Sequence, residues 1–271
     1  MSNFLILMWK PLLACLVLTG IHGYLGVHVV ERKVIFVDLA LAQIAALGAT
    51  IAVLFGHNLH GPSTYWFSLG ATFLGAGIFS FTRTRREKIP QEAIIGIVYA
   101  VSAALAILIL SHSAEGDEHI RYMLVGNILL VSFPEIIKMA VLYALVGLLH
   151  FRFRKNFILI STEPEEAYRQ RLPVKAWDLL FYLTFGLVVT SSVHIAGVLL
   201  VFSFLIVPAV GAMLFSNRFS QRLFIGWGLG VAASLAGVGA SYAWDLPTGA
   251  SIVTAFGGIL AAASIFSAFR R

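Results

Sequence analysis

Long apolar runs follow one another along almost the whole chain and are separated by short polar patches. An α-helix needs about 20 predominantly apolar residues to cross the hydrocarbon core of a bilayer. Runs of this kind occupy residues 4–30, 34–56, 65–82, 92–111, 134–151, 179–193, 195–215, 223–243 and 249–268. The pattern predicts an all-α, polytopic helical membrane protein with about nine transmembrane helices, or eight if one run does not span.

The composition excludes a soluble domain and a disordered chain. Of the 271 residues, 59% are hydrophobic and 12% are charged, whereas soluble domains have about 45–50% and about 25%. Disorder requires low hydrophobicity and high charge. The net charge of +6 does not indicate nucleic-acid binding, because the basic residues lie in short patches and are not interleaved with aromatic residues. We expect residues 1–271 to form a single transmembrane domain in contact with lipid.

The distribution of basic residues predicts the orientation in the membrane. Sixteen of the 19 Lys and Arg residues lie in alternate loops, whereas the opposite loops hold only Arg121, next to several acidic residues. Loops rich in Lys and Arg remain in the cytoplasm. The N-terminus is therefore predicted to lie outside and the C-terminus inside.

Two apolar segments are ambiguous. Residues 119–133 are too few to span comfortably, so we interpret them as an interfacial or re-entrant helix on the outer side that leads through Pro134 into the next span. Residues 190–194 (TSSVH) interrupt a long apolar stretch. A single span there would place the later basic loops on the wrong side, so we predict a break at this point.

The polar stretch 152–178 is the only sizeable segment outside the apolar runs. Ser161 or Thr162 as N-cap, Pro164 in the first turn and acidic residues at the positive end of the helix dipole favour a helix start. We predict a short cytoplasmic helix over about residues 163–171. A plain amphipathic connector is the alternative.

Several catalytic motifs do not occur in the sequence. There is no GxxxxGK[ST] phosphate loop, no HExxH metalloprotease motif and no GxSxG hydrolase motif. His57 and His60 have a helical i,i+3 spacing, but they lie in a loop with Gly and Pro, where solvated side chains are the simpler interpretation. The sequence therefore favours a transport subunit rather than an enzyme.

Four stretches together resemble the permease subunit of bacterial ABC importers for divalent transition metals. The stretches are VVERKVIFVDLALAQIAALG (29–48), QEAIIGIVYAVSAALAILIL (91–110), GVLLVFSFLIVPAVGAML (197–214) and SYAWDLPTGASIV (241–253). The last two are the most specific, because they contain a helix interrupted by Pro and a Trp-Asp-Leu-Pro-Thr-Gly turn. The resemblance extends from about residue 10 to residue 268.

The resemblance implies a homodimer in the bacterial inner membrane that moves Zn, Mn or Fe into the cytoplasm. It also implies two copies of a separate cytoplasmic ATPase, which uses the ATP, and an extracytoplasmic metal-binding protein. No stably bound cofactor is expected, since the metal is the cargo. The alternative is a stand-alone secondary carrier or channel, but such proteins usually have matching halves and acidic residues near the midplane.

Four polar residues are candidates for the metal pathway. They are Asp38, Gln43, Glu135 and His194, because ionisable groups within membrane spans are functional candidates by default. Helix capping by Asp38, helix packing by Gln43 and interfacial solvation of the other two are the alternatives. Gln43 corresponds to a position where the family often carries His, and an amide oxygen is a weaker and harder ligand than imidazole. This departure leaves the identity of the metal, or a metal chelate, open.

The remaining candidate residues concern partners. Contacts with the ATPase are expected from the predicted coupling helix, through Glu163, Glu165, Glu166, Tyr168, Arg169 and Arg171. Docking or metal entry on the outer face is assigned to His57, His60, His112 and His119. The run 223–243 contains five glycines that permit close helix contacts, either across the homodimer interface or within one subunit.

Overall fold

Every regular element in the part of the chain that the structure describes is helical. The computed structural model describes residues 2–58, 61–83, 89–111 and 126–269. In chain order the helices are α1 (Ser2–Glu31), α2 (Val37–Leu54), α3 (Pro62–Thr82), α4 (Gln91–Leu110), α5 (Phe133–Arg152), α6 (Arg154–Thr162), α7 (Pro164–Arg169), α8 (Val174–Ala196), α9 (Val198–Met213), α10 (Phe219–Trp244) and α11 (Thr248–Phe269). The predicted all-α fold class is confirmed.

Each predicted apolar run lies largely within one helix. In the described ranges, seven helices are long and apolar enough to cross a membrane by length and composition: α1, α2, α4, α5, α8, α10 and α11. Helix α3 has 21 residues, but Ser, Thr and Gly residues lower its hydropathy. Helix α9 is strongly apolar, but it has only 16 residues. The count of nine spans therefore stays a prediction.

The break expected at residues 190–194 lies instead at Gly197. Helix α8 continues to Ala196 because its polar residues remain helical: Ser192, for example, donates a hydrogen bond to the carbonyl of Val188 at 2.7 Å. Gly197 has a φ of 77°, in the left-handed region that favours glycine. Of the predicted outer helix 119–133, residues 119–125 lie outside the described residues. The rest contains the short 3₁₀ turn Ile128–Leu130 and the first residue of α5.

The polar stretch 152–178 contains two short helices, α6 and α7, and the start of α8. Helix α7 corresponds to the predicted helix 163–171. The predicted N-cap is wrong, because Ser161 and Thr162 belong to α6 and donate hydrogen bonds to carbonyls one turn earlier, at 2.9 Å each. Glu163 occupies the N-cap position and makes no side-chain capping bond.

The described helices group into two compact units. The first unit comprises Met1–Val30, Leu124–Leu149 and His194–Arg271, and the second comprises Glu31–Met123 and His150–Val193. Within the second unit α2 packs against α3 and α4. The contact of α2 with α3 is close, since a Cβ on Gly48 would lie 2.6 Å from the carbonyl oxygen of Phe67.

Within the first unit, α9, α10 and α11 pack against one another. Three of the five glycines in α10 contact neighbouring helices. A Cβ on Gly230 would lie 2.7 Å from Thr19, one on Gly226 would lie 3.4 Å from Pro208, and one on Gly237 would overlap the backbone of Ile252. Gly228 and Gly239 meet nothing within 4 Å among the described residues. The close packing expected of these glycines therefore occurs within the chain at three of them.

Candidate functional site

Asp38, in the first turn of α2, is the most deeply buried of the predicted pathway residues. Its residue surface is 2% exposed. Its Oδ1 is buried and accepts no hydrogen bond from the part of the chain that the structure describes. The positive end of the α2 dipole favours a negative charge at this position. A carboxylate with an unused buried oxygen is available to a cation.

Glu92, in the first turn of α4, lies close enough to Asp38 for the two charges to interact. Glu92 Oε1 accepts a hydrogen bond from the backbone N–H of Phe36 at 2.9 Å. Glu92 Oε2 is buried and has no hydrogen-bond partner in the described ranges. The packing of α2 against α4 therefore brings together two carboxylates, each with one unused oxygen. Sequence reasoning did not assign Glu92 to the pathway, although, like Asp38, it is an acid at the start of an apolar run.

Gln43 does not share the face of α2 that carries Asp38. The two residues are five positions apart, which corresponds to a rotation of about 140° around an α-helix. Gln43 is half-buried. Glu92, which binds the N–H of Phe36, is therefore the polar residue that the structure brings towards Asp38, and Gln43 lies on another face of α2.

Glu135 and His194 lie together in the first unit, where both are exposed and interact electrostatically. Glu135 Oε2 accepts hydrogen bonds from the hydroxyl of Ser132 at 2.6 Å and from its backbone N–H at 2.8 Å. The Ser132 hydroxyl in turn accepts a bond from the N–H of Glu135 at 3.4 Å. This arrangement is a capping box at the start of α5. The Ser-x-x-Glu pattern in the sequence was the signal for it, and it gives Glu135 a structural role.

Helix α7 attaches to the second unit by one face and exposes charged residues on another. Ala167 forms a buried cluster with Ile160 and Val174, and Tyr168 packs against that cluster. The exposed residues on and beside α7 are Glu163, Glu165, Arg169 and Arg171. Glu166 is half-buried and forms an ion pair with Arg169 at 2.8 Å. Tyr168 is half-buried and packs against the cluster, so it helps to hold α7 in place. Its contact with the ATPase stays a prediction.

The second unit also contains a buried ion cluster that sequence reasoning missed. Asp178, near the start of α8, is fully buried. Its Oδ1 accepts hydrogen bonds from Arg32 at 2.6 Å and from Arg83 at 2.9 Å, and its Oδ2 accepts a second bond from Arg83 at 3.0 Å. The sequence indicates Arg32 and Arg83 only as loop charges that orient the chain. The missed signal was Asp178, an acid at the edge of an apolar run that begins among basic residues.

The surroundings of the cluster fix both arginines. Arg32 Nε donates to the hydroxyl of Ser161 at 2.8 Å, and the Arg32 guanidinium lies 4.0 Å from the centre of the Phe181 ring. Burial acts to lower the pKa of the Arg83 guanidinium, but the charge of Asp178 outweighs this effect, so the pKa of Arg83 is raised. Two guanidinium groups therefore face the single carboxylate of Asp178.

Of the four histidines assigned to the outer face, one lies within the described residues. His57 is exposed, and its ring lies 5.6 Å from that of Phe67. His60, His112 and His119 lie outside the described residues. Within the described ranges, no group of three or more His, Cys, Asp and Glu residues is arranged to hold a metal ion.

The chain is similar to known membrane transport proteins over most of its length. The family model of the ABC 3 transport family matches residues 5–267. A probable iron transport system membrane protein of Haemophilus influenzae is 28% identical over 91% of this chain and 88% of its own length. A manganese transport system membrane protein, MntC, of Listeria monocytogenes is 26% identical over 90% of this chain and 85% of its own length.

A solved structure has the same fold. PsaBC from Streptococcus pneumoniae, determined in complex with Fab, superposes with a TM-score of 0.79 at 21% sequence identity. The superposition covers 97% of this chain and 94% of the other. The likeness therefore extends over nearly the whole length of both chains.

Proposed function

The chain belongs to the ABC 3 transport family, and we propose that it is the membrane permease of an importer that carries manganese or iron into the cell. The observation that carries this proposal is the match of the family model to residues 5–267. Relatives named for iron and manganese transport, similar over about nine-tenths of the chain, support the choice of cargo. Zinc or a metal chelate is the alternative cargo.

The proposal includes partners that supply energy and substrate. A cytoplasmic ATPase hydrolyses the ATP, and an extracytoplasmic protein delivers the metal. Two copies of this chain form the pathway, and two copies of the ATPase bind to them. The protein lies in the inner membrane with its basic loops, and therefore α6 and α7, on the cytoplasmic side.

The pathway is proposed to pass the Asp38–Glu92 pair. A divalent cation that crosses a region of low dielectric constant needs oxygen or nitrogen ligands, but a closed shell of ligands would trap it. Two carboxylates with one unused oxygen each provide weak, partial coordination, and a two-fold axis would double the set. Gln43 and His194 are secondary candidates, whereas the capping box argues against Glu135.

Transport in proteoliposomes tests this function. The chain is reconstituted with its ATPase and binding protein, and ATP-dependent uptake of Mn, Fe and Zn is compared. We expect uptake of Mn or Fe that requires both partners. Uptake at the same rate without the ATPase would instead support a secondary carrier, and uptake of none of the three metals would contradict the proposal.

We propose that α7 with its exposed charged residues is the helix that docks into the ATPase. Its charges can form a complementary rim, while the Ile160–Ala167–Val174 cluster fixes it to the permease. Glu166→Arg should prevent assembly with the ATPase, because it removes the pair with Arg169 and places two cations side by side. Ser220→Arg is the control, since it adds a positive charge at an exposed position in the first turn of α10, between Arg218 and Arg222. Equal ATPase co-purification and uptake in both variants would refute the docking assignment.

A further inference from the structure

The buried cluster around Asp178 joins four separate parts of the second unit. Arg32 lies in the turn before α2, Arg83 directly follows α3, Ser161 lies at the end of α6, and Asp178 lies near the start of α8. The side chains of Arg32, Asp178 and Arg83 are 0%, 1% and 11% exposed. Since α7 begins three residues after Ser161, the cluster lies where the docking segment α6–α7 meets the helices of this unit.

Arg32 holds α6 and α8 at the same time. Its Nε donates to Ser161 of α6 at 2.8 Å, and its Nη1 donates to Asp178 of α8 at 2.6 Å. A guanidinium is planar and rigid, so bonds made by different nitrogens fix both its position and its orientation. Such bonds weaken beyond about 3.2 Å, and a shift of α6 by about 1 Å relative to α8 would break one of them. The two bonds of Arg32 therefore connect α6 to α8.

The turn that carries Arg32 leads directly into α2. Lys33 adopts a left-handed conformation with a φ of 57°, Val34 is fully buried, and the N–H of Val37 donates to the carbonyl of Val34 at 3.1 Å. The N–H of Phe36 is held by Glu92 at 2.9 Å. A tight turn that is fixed in this way therefore connects Arg32 to the start of α2, where Asp38 lies.

Stability alone gives a poor account of such a cluster. Apolar residues of similar volume often replace a buried ion pair without loss of stability, because the desolvation of the charges offsets much of their attraction. Apolar contacts are not directional, so helices that are joined by them can slide past one another. Charge-assisted hydrogen bonds depend on geometry and resist such sliding. A cluster at the junction of a docking segment and a pathway helix is suited to transmit movement.

We propose that Arg32, Asp178 and Ser161 link the docking segment α6–α7 to α2, so that movement of the ATPase changes the position of Asp38, with Arg83 holding Asp178 in place. This inference rests on the proposed function, in which α7 receives the ATPase. The four side chains are positioning residues: they contact neither the cargo nor ATP, and they act through α2. Removal of the link should separate ATP hydrolysis from transport without preventing assembly.

Hydrogen exchange in the assembled complex, combined with transport, tests the link. The variants are Arg32→Lys, which keeps the charge but loses the two-nitrogen geometry, and Ser161→Ala, which removes the acceptor of the Arg32 bond on α6 together with the hydroxyl's own bond to the carbonyl of Phe157. Lys175→Gln is the control, because it removes an exposed charge from the start of α8 outside the cluster. Exchange is followed in two segments, residues 163–171 and residues 33–39, with and without the ATPase. Uptake per ATP hydrolysed is measured on the same preparations.

In the wild type and in Lys175→Gln, the ATPase should protect residues 163–171 and also change exchange in residues 33–39. In Arg32→Lys and Ser161→Ala, the protection should persist, while the response of residues 33–39 and the uptake per ATP fall by about fivefold. Absence of protection at 163–171 in the wild type would overturn the docking assignment itself. Protection together with an undiminished response at 33–39 in both variants would overturn the link and leave the docking assignment intact. If complex yield and uptake fall together while the uptake per ATP hydrolysed is unchanged, the cluster has only a structural role.

Discussion

Asp178 and Asp38 are both buried carboxylates in the second unit, but their surroundings are opposite. Asp178 accepts three hydrogen bonds from two guanidinium groups, and both of its oxygens are used. Asp38 has one buried oxygen that the described residues leave without a hydrogen bond, and its charged neighbour is another carboxylate, Glu92. Burial by itself therefore does not distinguish an acid that joins helices from an acid that is proposed to contact the cargo. We expect the number of hydrogen-bond and charge partners to distinguish them.

The difference follows from the cost of burying charge. A buried carboxylate is tolerated when opposite charges and hydrogen bonds replace the lost water. This condition is met at Asp178 by the protein itself. At Asp38 it is met only in part, and a passing cation would supply the rest. The fully paired acid should therefore matter for folding, whereas the partly paired acid should matter for transport.

The largest effect is expected from Asp178→Asn. This substitution leaves Arg32 and Arg83 buried beside an uncharged amide, and loss of one partner of a buried ion pair costs about 3–5 kcal/mol. Unfolding of the detergent-solubilised protein should show the loss as a lower free energy of unfolding. The double variant Asp178→Asn with Arg83→Gln should recover part of it, because only one guanidinium then lacks a carboxylate. If Asp178→Asn alone is as stable as the wild type, the cluster does not contribute to the free energy of unfolding.

Asp38→Asn should show the opposite pattern. The amide removes a buried charge and the repulsion from Glu92, so the yield of folded complex should equal or exceed that of the wild type. Metal uptake in proteoliposomes should fall severalfold, because a neutral amide attracts a divalent cation less strongly. If uptake is normal, or if its loss follows the loss of folded complex, Asp38 is structural and the proposed path is wrong.

The contrast also shows what the sequence could reveal. The helices were predictable because apolar runs of spanning length leave few alternatives. Asp38 could be chosen as a candidate because an acid in such a run is costly, and its role stays a prediction. The Asp178 cluster depends on residues 32, 83, 161 and 178, which only the packing of α3, α6 and α8 brings together. The break was predicted at residues 190–194 because those residues are polar, but it lies at Gly197. Polarity is a poor signal here, because Ser and Thr side chains bond back to their own helix.

Glu92→Gln should have an intermediate effect on transport. Glu92 keeps one oxygen bonded to the N–H of Phe36, and Gln can preserve that bond. Only the charge near Asp38 is lost, so we expect uptake to fall by about twofold to threefold, less than in Asp38→Asn. The double variant Asp38→Asn with Glu92→Gln should lose less than the product of the two single effects if both carboxylates bind the same cation. Effects that multiply independently would place the two carboxylates in separate roles.

The smallest effect on stability is expected at the surface pair on α7. Glu166 and Arg169 are 30% and 72% exposed, so water screens their attraction even though their atoms lie 2.8 Å apart. Exposed pairs at this spacing contribute about 0.2–0.5 kcal/mol. Glu166→Gln should therefore leave the free energy of unfolding almost unchanged, in contrast to Asp178→Asn, and should reduce only the affinity for the ATPase. The two variants are compared in the same unfolding titration and in the same pull-down. A loss of stability at Glu166 as large as that at Asp178 would show that solvent exposure does not separate the charges that bind a partner from those that hold the fold.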